Sequence, residues 1–363
     1  MMNIKIDSYF GIPDPEDEEI ILCDIRRAPF RIYGLYDVCR RNDFVRLPEE
    51  VARTVSPSVE YLARNTAGGR LRFSTDSSVV VLRAKMASTY GGVNFSPLGS
   101  SGFDLYVDDE NSRSESRFYR PFRFELDSIA DYRSVVEFRD RRQRYLTINF
   151  PSYAEVEMLS IGLESGASVG PGKEYADMDP IVYYGSSITQ GGCSSRPGNT
   201  YPNIVCRHTE IDYINLGFSG AGKGEKEIVD YMKGLRMSVF VSDYDHNAPN
   251  PEHLRNTHEP LYREIRSVHP EIPYIFMSLP DAYAGSLSRL NSRRDVIYET
   301  FMKARADGDE NVYFIDGESL FRGPYEDICY ADSTHPTDMG FAFMADAVTS
   351  VVKKALFRDR IEK

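Results

Sequence analysis

The first half of the chain has the hydrophobic pattern of β-strands. Short runs rich in β-branched and aromatic residues are separated by turn-rich connections, and several runs alternate apolar with polar positions. Leu146, Ile148 and Phe150 show this period of two, which is typical of strands with one buried and one solvated face. The runs begin at Arg31, Leu71, Val79, Phe103, Phe118, Tyr145 and Val156. An antiparallel β-sandwich is therefore predicted for this half.

The second half alternates strand-like with helix-like segments. Short apolar runs predict buried strands at residues 181–184, 213–216, 239–241, 274–277 and 312–315. Segments with helical periodicity lie between and after them, at residues 201–208, 225–235, 253–268, 295–306 and 341–356. Strands separated by helices of this length favour right-handed crossovers and a parallel sheet covered on both faces. This half is therefore predicted to be a three-layer α/β/α domain.

The boundary between the two patterns lies in a stretch rich in Gly and Ser. Residues 164–173 show no apolar period, so we predict an N-terminal domain over residues 1–170 and a C-terminal domain over residues 171–363. The first thirty residues hold Pro13, Pro15 and the acidic run Glu16-Asp-Glu-Glu. That composition predicts a solvated arm.

Composition and charge narrow the classes of partner. The 363 residues carry a net charge of −12 and a pI near 5.1, which argue against a nucleic-acid partner and favour a neutral or small substrate. No apolar run is long enough to cross a bilayer, and no secretory signal is visible, so we expect a cytoplasmic protein without a membrane partner. The five scattered cysteines favour reduced thiols over a disulfide framework. The oligomeric state stays open.

Four loops carry residue types that suit nucleophilic catalysis. Ser187 follows the first predicted parallel strand, and a Gly-rich loop (residues 217–222) follows the second. The third strand is followed by Asp243-Tyr-Asp-His-Asn247, and Asp332-Ser-Thr-His335 precedes the last helix. Each loop alone also fits an ordinary turn or a helix cap. Because parallel strands point their carboxyl ends at one edge of the sheet, the loops are expected to converge there.

In order and spacing, these segments resemble the four sequence blocks of the SGNH (GDSL-type) hydrolases. The matching blocks are Gly185-Ser-Ser-Ile-Thr, Leu216-Gly-Phe-Ser-Gly220, Asp245-His-Asn247 and Asp332-Ser-Thr-His335. The N-terminal half carries Arg46-Leu-Pro48 and Gly102-Phe-Asp-Leu-Tyr106, which resemble the Gly-x-Asp-Leu-Tyr domain that precedes certain SGNH acylhydrolases. The resemblance implies a flavodoxin-like hydrolase domain behind a jelly-roll-like sandwich.

The resemblance also implies an activity and a set of site residues. Members are esterases, often deacetylating carbohydrates, and they need no metal or other cofactor. Carried over by position, Ser187 is the nucleophile, His335 the base and Asp332 the residue that orients it. The amide of Ser187, Gly220 and Asn247 are the implied oxyanion donors.

Two positions depart from the family pattern. Ser186 stands where the family commonly has Asp before the nucleophile, and the third block reads Asp245-His-Asn-Ala248 where the family usually has Gly-x-Asn-Asp. The first change should matter little, because the backbone turn presents the nucleophile. The second makes the loop geometry and the role of Asn247 less defined.

Two residues near the blocks are candidates for contact with substrate. Arg196 lies in the loop after the nucleophile, where it either contacts substrate or is an ordinary surface arginine. His246 is an extra imidazole with either a structural or a substrate-binding role, because His335 already provides a base. Among the competing motifs, the Gly-x-Ser-x-Gly elbow is absent around Ser187, and the Lys223 loop lacks phosphate-loop spacing. Cys193 fits a small packed residue better than a reactive thiol.

The combined expectation is a serine esterase that hydrolyses short acetyl esters, with an acetylated saccharide as its substrate. The first alternative is a lysophospholipase or thioesterase that uses the same groups. The second is a carbohydrate-binding protein whose hydrolase half is inactive; the intact Ser187, Asp332 and His335 argue against it.

Overall fold

The computed structural model describes residues 3–8, 10–108, 116–280 and 287–357, with side chains from residue 292 onward in the last range. These residues form two compact units. The N-terminal unit comprises the chain up to Arg46, Arg64–Ala176 and Arg196–Gly198, and the C-terminal unit comprises Leu47–Ala63, Asp177–Ser195 and the chain from Asn199.

Twelve strands of the described chain belong to the N-terminal unit, and all their pairings are antiparallel. The strands are β1 (Ile4–Lys5), β2 (Gly11–Asp14), β3 (Asp17–Asp24), β4 (Arg31–Tyr33), β5 (Arg70–Thr75), β6 (Val79–Ser88), β7 (Phe103–Asp108), β8 (Ser116–Phe122), β9 (Asp131–Glu137), β10 (Arg144–Asn149), β11 (Glu155–Glu164) and β12 (Ser168–Pro171). They form a seven-stranded sheet in the order β1-β12-β5-β10-β7-β8, with β4 paired to β5, and a five-stranded sheet in the order β2-β3-β11-β6-β9.

The two antiparallel sheets share one apolar core. Leu71 and Ile148 from the first sheet lie in the same buried cluster as Leu82 and Ile161 from the second. Alternate residues of a strand point to opposite faces, so one face of each sheet contributes to this core. The predicted antiparallel sandwich is confirmed.

The predicted solvated arm at the N-terminus is wrong. Within the first thirty residues, β2 and β3 pair as a hairpin, and the acidic run lies at its turn and at the start of β3. Ile20, Ile21, Leu22 and Cys23 are buried. Their apolar side chains outweigh the charged residues before them, because the charges remain at the exposed end of the hairpin.

The helices and the parallel strands complete the described elements. The helices are α1 (Glu49–Val55), α2 (Pro57–Leu62), α3 (Pro97–Ser101), α4 (Ser187–Gln190), α5 (Tyr201–Thr209), α6 (Lys226–Lys233), α7 (Pro251–Val268), α8 (Leu287–Ala306), α9 (Gly317–Leu320) and α10 (Asp338–Leu356). The parallel strands are β13 (Ile181–Gly185), β14 (Tyr213–Gly217), β15 (Val239–Asp243), β16 (Tyr274–Met277) and β17 (Val312–Ile315). Helices α8 and α10 begin earlier in the chain than the sequence predicts.

Helices cover both faces of the parallel sheet. The strand order is β14-β13-β15-β16-β17, the doubly wound arrangement of flavodoxin-like domains. Val182 and Tyr184 of β13 share a buried cluster with residues of α6, α7 and α8. Tyr183 points to the opposite face, where its ring contacts Tyr201 of α5, and α5 packs against α10. The predicted three-layer α/β/α domain is confirmed.

The structure divides the chain differently from the predicted boundary at residues 170 and 171. Residues Leu47–Ala63 belong to the C-terminal unit, although they precede most of the sandwich in sequence. The reason is packing: Leu47, Ala52 and Val59 lie in the buried cluster of the parallel sheet, and α1 contacts α6. No helix among the described residues has the length and apolar character needed to span a membrane.

Asp14 is a buried carboxylate held by two arginines. It accepts hydrogen bonds from Arg83 Nη2 at 2.7 Å and from Arg133 Nε at 2.8 Å, and its side chain has no exposed surface. Burial by itself would raise the pKa of Asp14, but the hydrogen bonds from Arg133 and Arg83 outweigh it and hold the pKa below its usual value. The ionised form of Asp14 therefore stabilises the sandwich.

This stabilisation is expected to be lost in acid. Because the folded-state pKa lies below that of the unfolded chain, the contribution is complete above about pH 4 and declines as the pH falls through the folded-state value. Asp14→Asn should lower the free energy of unfolding at pH 7 by about 1.5–3 kcal/mol and flatten the acid decline, as measured by urea denaturation. Glu16→Gln is the control, because this more exposed carboxylate binds the same Arg83 and should cost less than about 1 kcal/mol. Equal losses in the two variants would contradict the assignment.

Candidate active site

The turn between β13 and α4 presents Ser187. Strand β13 is buried throughout and ends at Gly185, where an added Cβ would lie 2.0 Å from Thr189 Oγ1 and 2.6 Å from the Asp243 carbonyl oxygen. The absence of a side chain lets the strand turn directly into the helix. Ser186 caps α4 by accepting a hydrogen bond from the Ile188 amide at 3.2 Å. Ser187 is thereby fixed at the first position of α4.

Ser187, His335 and Asp332 form a continuous hydrogen-bonded chain. His335 Nε2 lies 2.9 Å from Ser187 Oγ, and His335 Nδ1 lies 2.9 Å from Asp332 Oδ2. A proton on Nδ1 is donated to Asp332, which leaves the Nε2 lone pair facing the serine hydroxyl. Residues 148 positions apart in sequence thus have the geometry of a nucleophile, a base and an orienting carboxylate.

Backbone amides hold Asp332 in its charged form. Asp332 Oδ1 accepts hydrogen bonds from the amides of Thr334 and His335, both at 2.7 Å. Burial would raise the pKa of Asp332, but these backbone bonds and the hydrogen bond from the His335 ring lower it to about 2. Asp332 is therefore a carboxylate throughout the neutral range and favours the Nδ1–H tautomer of His335.

A buried polar network connects α4 to the end of β15 and to α5. Thr189 Oγ1 donates to Asp243 Oδ2 at 2.8 Å and lies 3.0 Å from the Tyr201 hydroxyl, which donates to the same carboxyl oxygen at 3.3 Å. Burial raises the pKa of Asp243 well above its usual value, and the nearby Asp245 adds to the rise. Burial thus disfavours the charged form of Asp243, and the two hydroxyl groups that donate to it connect α4 to this carboxyl group.

The Gly-rich loop after β14 is tied to α4. The Ser219 amide donates to Gln190 Oε1 at 3.0 Å, and Asn215 Nδ2 donates to the Thr189 carbonyl at 2.7 Å. Gly220 is exposed and has a φ of +66°, and an added Cβ would meet nothing within 4 Å. Gly therefore suits the backbone conformation here, and the exposed backbone of Gly220 is open to a ligand.

Asn247 holds this Gly-rich loop from the other side. Its Nδ2 donates to the carbonyl oxygens of Phe218 and Gly222, both at 2.9 Å. An Asn amide nitrogen has two hydrogens, so these bonds engage both of them. In this arrangement Asn247 positions the loop that carries Gly220, and its amide has no further hydrogen to donate to an oxyanion.

Arg196 is engaged within the N-terminal unit. Its Nη1 lies 3.2 Å from Asp104 Oδ2 and contacts the Tyr106 hydroxyl, while the guanidinium stacks over Phe118 at 3.8 Å from the ring centroid. An ordinary surface arginine, one of the two alternatives predicted for Arg196, does not fit this largely buried ion pair. His246 is partly buried in a short 3₁₀ turn between Asp245 and Asn247.

Sequence reasoning missed two groups that shape the site. The first is the Thr189–Tyr201–Asp243 network. A carboxyl group at the end of a buried strand, such as Asp243, could have indicated it. The other is Asp338, which accepts hydrogen bonds from the Ser195 amide at 2.9 Å and Asn199 Nδ2 at 2.7 Å. Asp338 thus ties the loop after α4 to the first turn of α10.

The fold and the matching family models together define an ester hydrolase. Residues 178–353 match the model of the GDSL-like lipase/acylhydrolase family, and residues 22–169 match the model of the N-terminus of SGNH-hydrolase-type esterases. The chain belongs to the SGNH (GDSL-type) hydrolases and is an ester hydrolase. No curated protein sequence matches it.

Solved structures share this fold over 80–93% of the chain. A protein from Bacteroides ovatus described as a GDSL-like lipase is 26% identical, covers 93% of this chain and 98% of its own, and has a TM-score of 0.82. A salicylyl-acyltransferase from a tetracycline biosynthetic pathway is 20% identical, with coverages of 93% and 97% and a TM-score of 0.72. A family two carbohydrate esterase from Clostridium thermocellum, solved with cellohexaose, is 15% identical, with coverages of 80% and 93% and a TM-score of 0.55.

The network beneath α4 is expected to contribute measurably to stability. Thr189→Val keeps the shape of the side chain but removes the donor to Asp243, so it should lower the free energy of unfolding by about 1–3 kcal/mol. Thr189→Ser keeps the hydroxyl and should lose less. Chemical denaturation of the two variants tests this, and an equal loss in both would mean that the hydroxyl contributes nothing.

Proposed function

We propose that this ester hydrolase removes acetyl groups from carbohydrate through an acyl-enzyme on Ser187. The observation that carries the proposal is the hydrogen-bonded chain from Ser187 Oγ through His335 to Asp332. A serine hydroxyl becomes a competent nucleophile when an adjacent imidazole accepts its proton. The geometry supports that transfer from Ser187 to Nε2 of His335.

The reaction would proceed in two halves. As Ser187 Oγ attacks the ester carbonyl, His335 Nε2 takes the hydroxyl proton and then gives it to the departing sugar oxygen. Water next attacks the acetyl-serine while His335 accepts its proton, and His335 returns that proton to Ser187 Oγ as acetate is released. Asp332 remains a carboxylate and stabilises the imidazolium formed in both halves.

The oxyanion formed by this attack needs hydrogen-bond donors. We assign that role to the backbone amides of Ser187 and Gly220. The Ser187 amide lies at the start of α4, and Gly220 has no side chain to obstruct a ligand. Because both hydrogens of the Asn247 amide bind carbonyl oxygens, Asn247 would act by holding the Gly220 loop. Such donors are each typically worth on the order of 10²–10³ in kcat.

Two observations support acetylated carbohydrate as the substrate. The carbohydrate esterase solved with cellohexaose shares the two-part fold. The segment that follows Ser187 is small or polar at the end of α4, where Gln190 is followed by Gly191 and Gly192. This setting suits a short acyl group on a polar leaving alcohol better than a long acyl chain, which needs apolar surface to bury.

The catalytic assignment predicts large and specific losses of rate. Ser187→Ala and His335→Ala should lower kcat for p-nitrophenyl acetate by about 10⁴–10⁶, and Asp332→Asn by about 10³–10⁴ with an intact fold. Ser219→Ala is the matched control, because its hydroxyl lies on a neighbouring loop outside the triad, and it should retain activity. Wild-type turnover in Ser187→Ala would remove the nucleophile assignment.

The substrate assignment is tested by acyl length and by leaving group. We expect p-nitrophenyl acetate to be cleaved with a higher kcat/KM than the butyrate or octanoate, and acetate to be released from acetylated xylo-oligosaccharides. Mass spectrometry of rapidly quenched samples should show an acetyl adduct on Ser187. Preference for octanoate or lysophosphatidylcholine would favour a lipid acylhydrolase, and preference for acyl thioesters a thioesterase. Sugar binding without turnover would identify an inactive carbohydrate-binding protein.

A further inference from the structure

Cys193 lies beside the catalytic carboxylate without a part in the proposed reaction. It follows α4 by three residues, and its Sγ is 4.0 Å from Asp332 Oδ2. The same oxygen accepts the hydrogen bond from His335 Nδ1 at 2.9 Å. The other carboxylate oxygen, Oδ1, is held by the backbone amides of Thr334 and His335. A thiol and an imidazole nitrogen therefore meet at one carboxylate oxygen.

The three groups have the composition of a soft-metal site, and their ligand atoms lie near one another. One ligand atom from each of Cys193, Asp332 and His335 lies within 4.8 Å of the other two. Tetrahedral zinc with bonds of about 2.0–2.3 Å spaces its ligand atoms roughly 3.3–3.5 Å apart. Sγ, now 4.0 Å from Oδ2, would have to move inward by about 1 Å through the Cys193 side-chain torsion. Nδ1 and Oδ2, now 2.9 Å apart, would have to separate by about 0.5 Å to admit the ion. Thiolate, imidazole and carboxylate together are ligands of Zn²⁺ and Cd²⁺, whereas Mg²⁺ and Ca²⁺ take oxygen ligands.

We propose that Cys193, Asp332 and His335 form an inhibitory binding site for a thiophilic divalent cation such as Zn²⁺ or Cd²⁺. The ion binds Cys193 Sγ, Asp332 Oδ2 and His335 Nδ1, with water at its fourth position. The thiol proton is released to solvent. The proton on Nδ1 of the neutral imidazole is replaced by one on Nε2, so His335 remains neutral. No bond to substrate is involved.

Inhibition follows from the change of tautomer. With the metal on Nδ1, Nε2 carries a hydrogen and cannot accept the proton of Ser187 Oγ, which it otherwise faces at 2.9 Å. Asp332 simultaneously becomes a metal ligand and no longer orients the ring for catalysis. The inhibitory consequence rests on the proposed function, whereas binding of the metal does not.

The experiment compares two cysteine variants of the full-length protein. Wild type, Cys193→Ser and Cys39→Ser are titrated with chelator-buffered Zn²⁺ and with Cd²⁺, and Mg²⁺ serves as the oxygen-preferring control. Cys39 is exposed and belongs to the N-terminal unit, so it controls for metal capture by any accessible thiol. Hydrolysis of p-nitrophenyl acetate is normalised to each variant's own metal-free rate. The ultraviolet Cd²⁺–thiolate charge-transfer band gives a second readout that needs no activity.

The expected result is metal inhibition that is reversible by EDTA in wild type and Cys39→Ser. In Cys193→Ser the inhibition constant should rise by about tenfold or more, because even loss of a supporting group typically costs 10–100-fold in affinity. The Cd²⁺–thiolate band should persist in Cys39→Ser and disappear in Cys193→Ser, and His335→Ala should weaken Cd²⁺ binding.

Equal metal sensitivity in Cys193→Ser and wild type would overturn the site, as would a band that survives loss of Cys193. Failure of the two proposals can be told apart. A chain with Cys193-dependent Cd²⁺ binding but no esterase turnover would contradict the proposed function alone. An active esterase without Cys193-dependent binding would contradict the metal site alone.

Discussion

The C-terminal unit depends on close packing at the end of β13. Thr189 Oγ1 and the Asp243 carbonyl occupy the space in which a side chain of Gly185 would stand. That crowding makes the strand turn at once into α4, and it places Ser187 at the carboxyl edge of the sheet, where α/β folds bind ligands. The end of β14 and the Gly-rich loop after it are fixed relative to this turn by hydrogen bonds to Thr189, Gln190 and the Gly185 carbonyl.

The carboxyl groups of Asp243 and Asp332 at this edge of the sheet are both held by hydrogen bonds. Asp243 is deeply buried, but Thr189 and Tyr201 both donate to it, and its raised pKa favours the neutral form. The pKa of Asp332 shifts in the opposite direction, because hydrogen bonds from backbone amides and from the His335 ring lower it and keep the carboxylate charged. The pKa values of the two carboxyl groups thus shift in opposite directions because their surroundings differ. One supports the helix, and the other orients an imidazole.

The residue pattern predicts the sandwich and the parallel sheet, because periodicity indicates which faces of the strands and helices are buried. The convergence of Ser187 with His335 follows from the parallel sheet, because its strands end at one edge. It does not predict the hairpin of β2 and β3, where charged turn residues precede the buried run from Ile20. It also misses the placement of α1 and α2 in the C-terminal unit, since apolar helices do not specify which core they join. Contacts such as Thr189 with Asp243 escape local reasoning, because their partners are far apart in sequence.

The Gly-x-Asp-Leu-Tyr segment, residues 102–106, holds residues 196–198 by hydrogen bonds and close packing. Asp104, without exposed surface, accepts hydrogen bonds from Asn149 Nδ2 at 2.7 Å, the Gly198 amide at 2.9 Å and Arg196. A Cβ on Gly198 would lie 2.5 Å from the Tyr106 hydroxyl, so the approach requires glycine. Removing the carboxylate would leave a largely buried guanidinium without its counter-charge, which is far costlier than loss of a surface pair. The motif residues therefore hold residues 196–198 within the N-terminal unit, and Arg196 serves that packing.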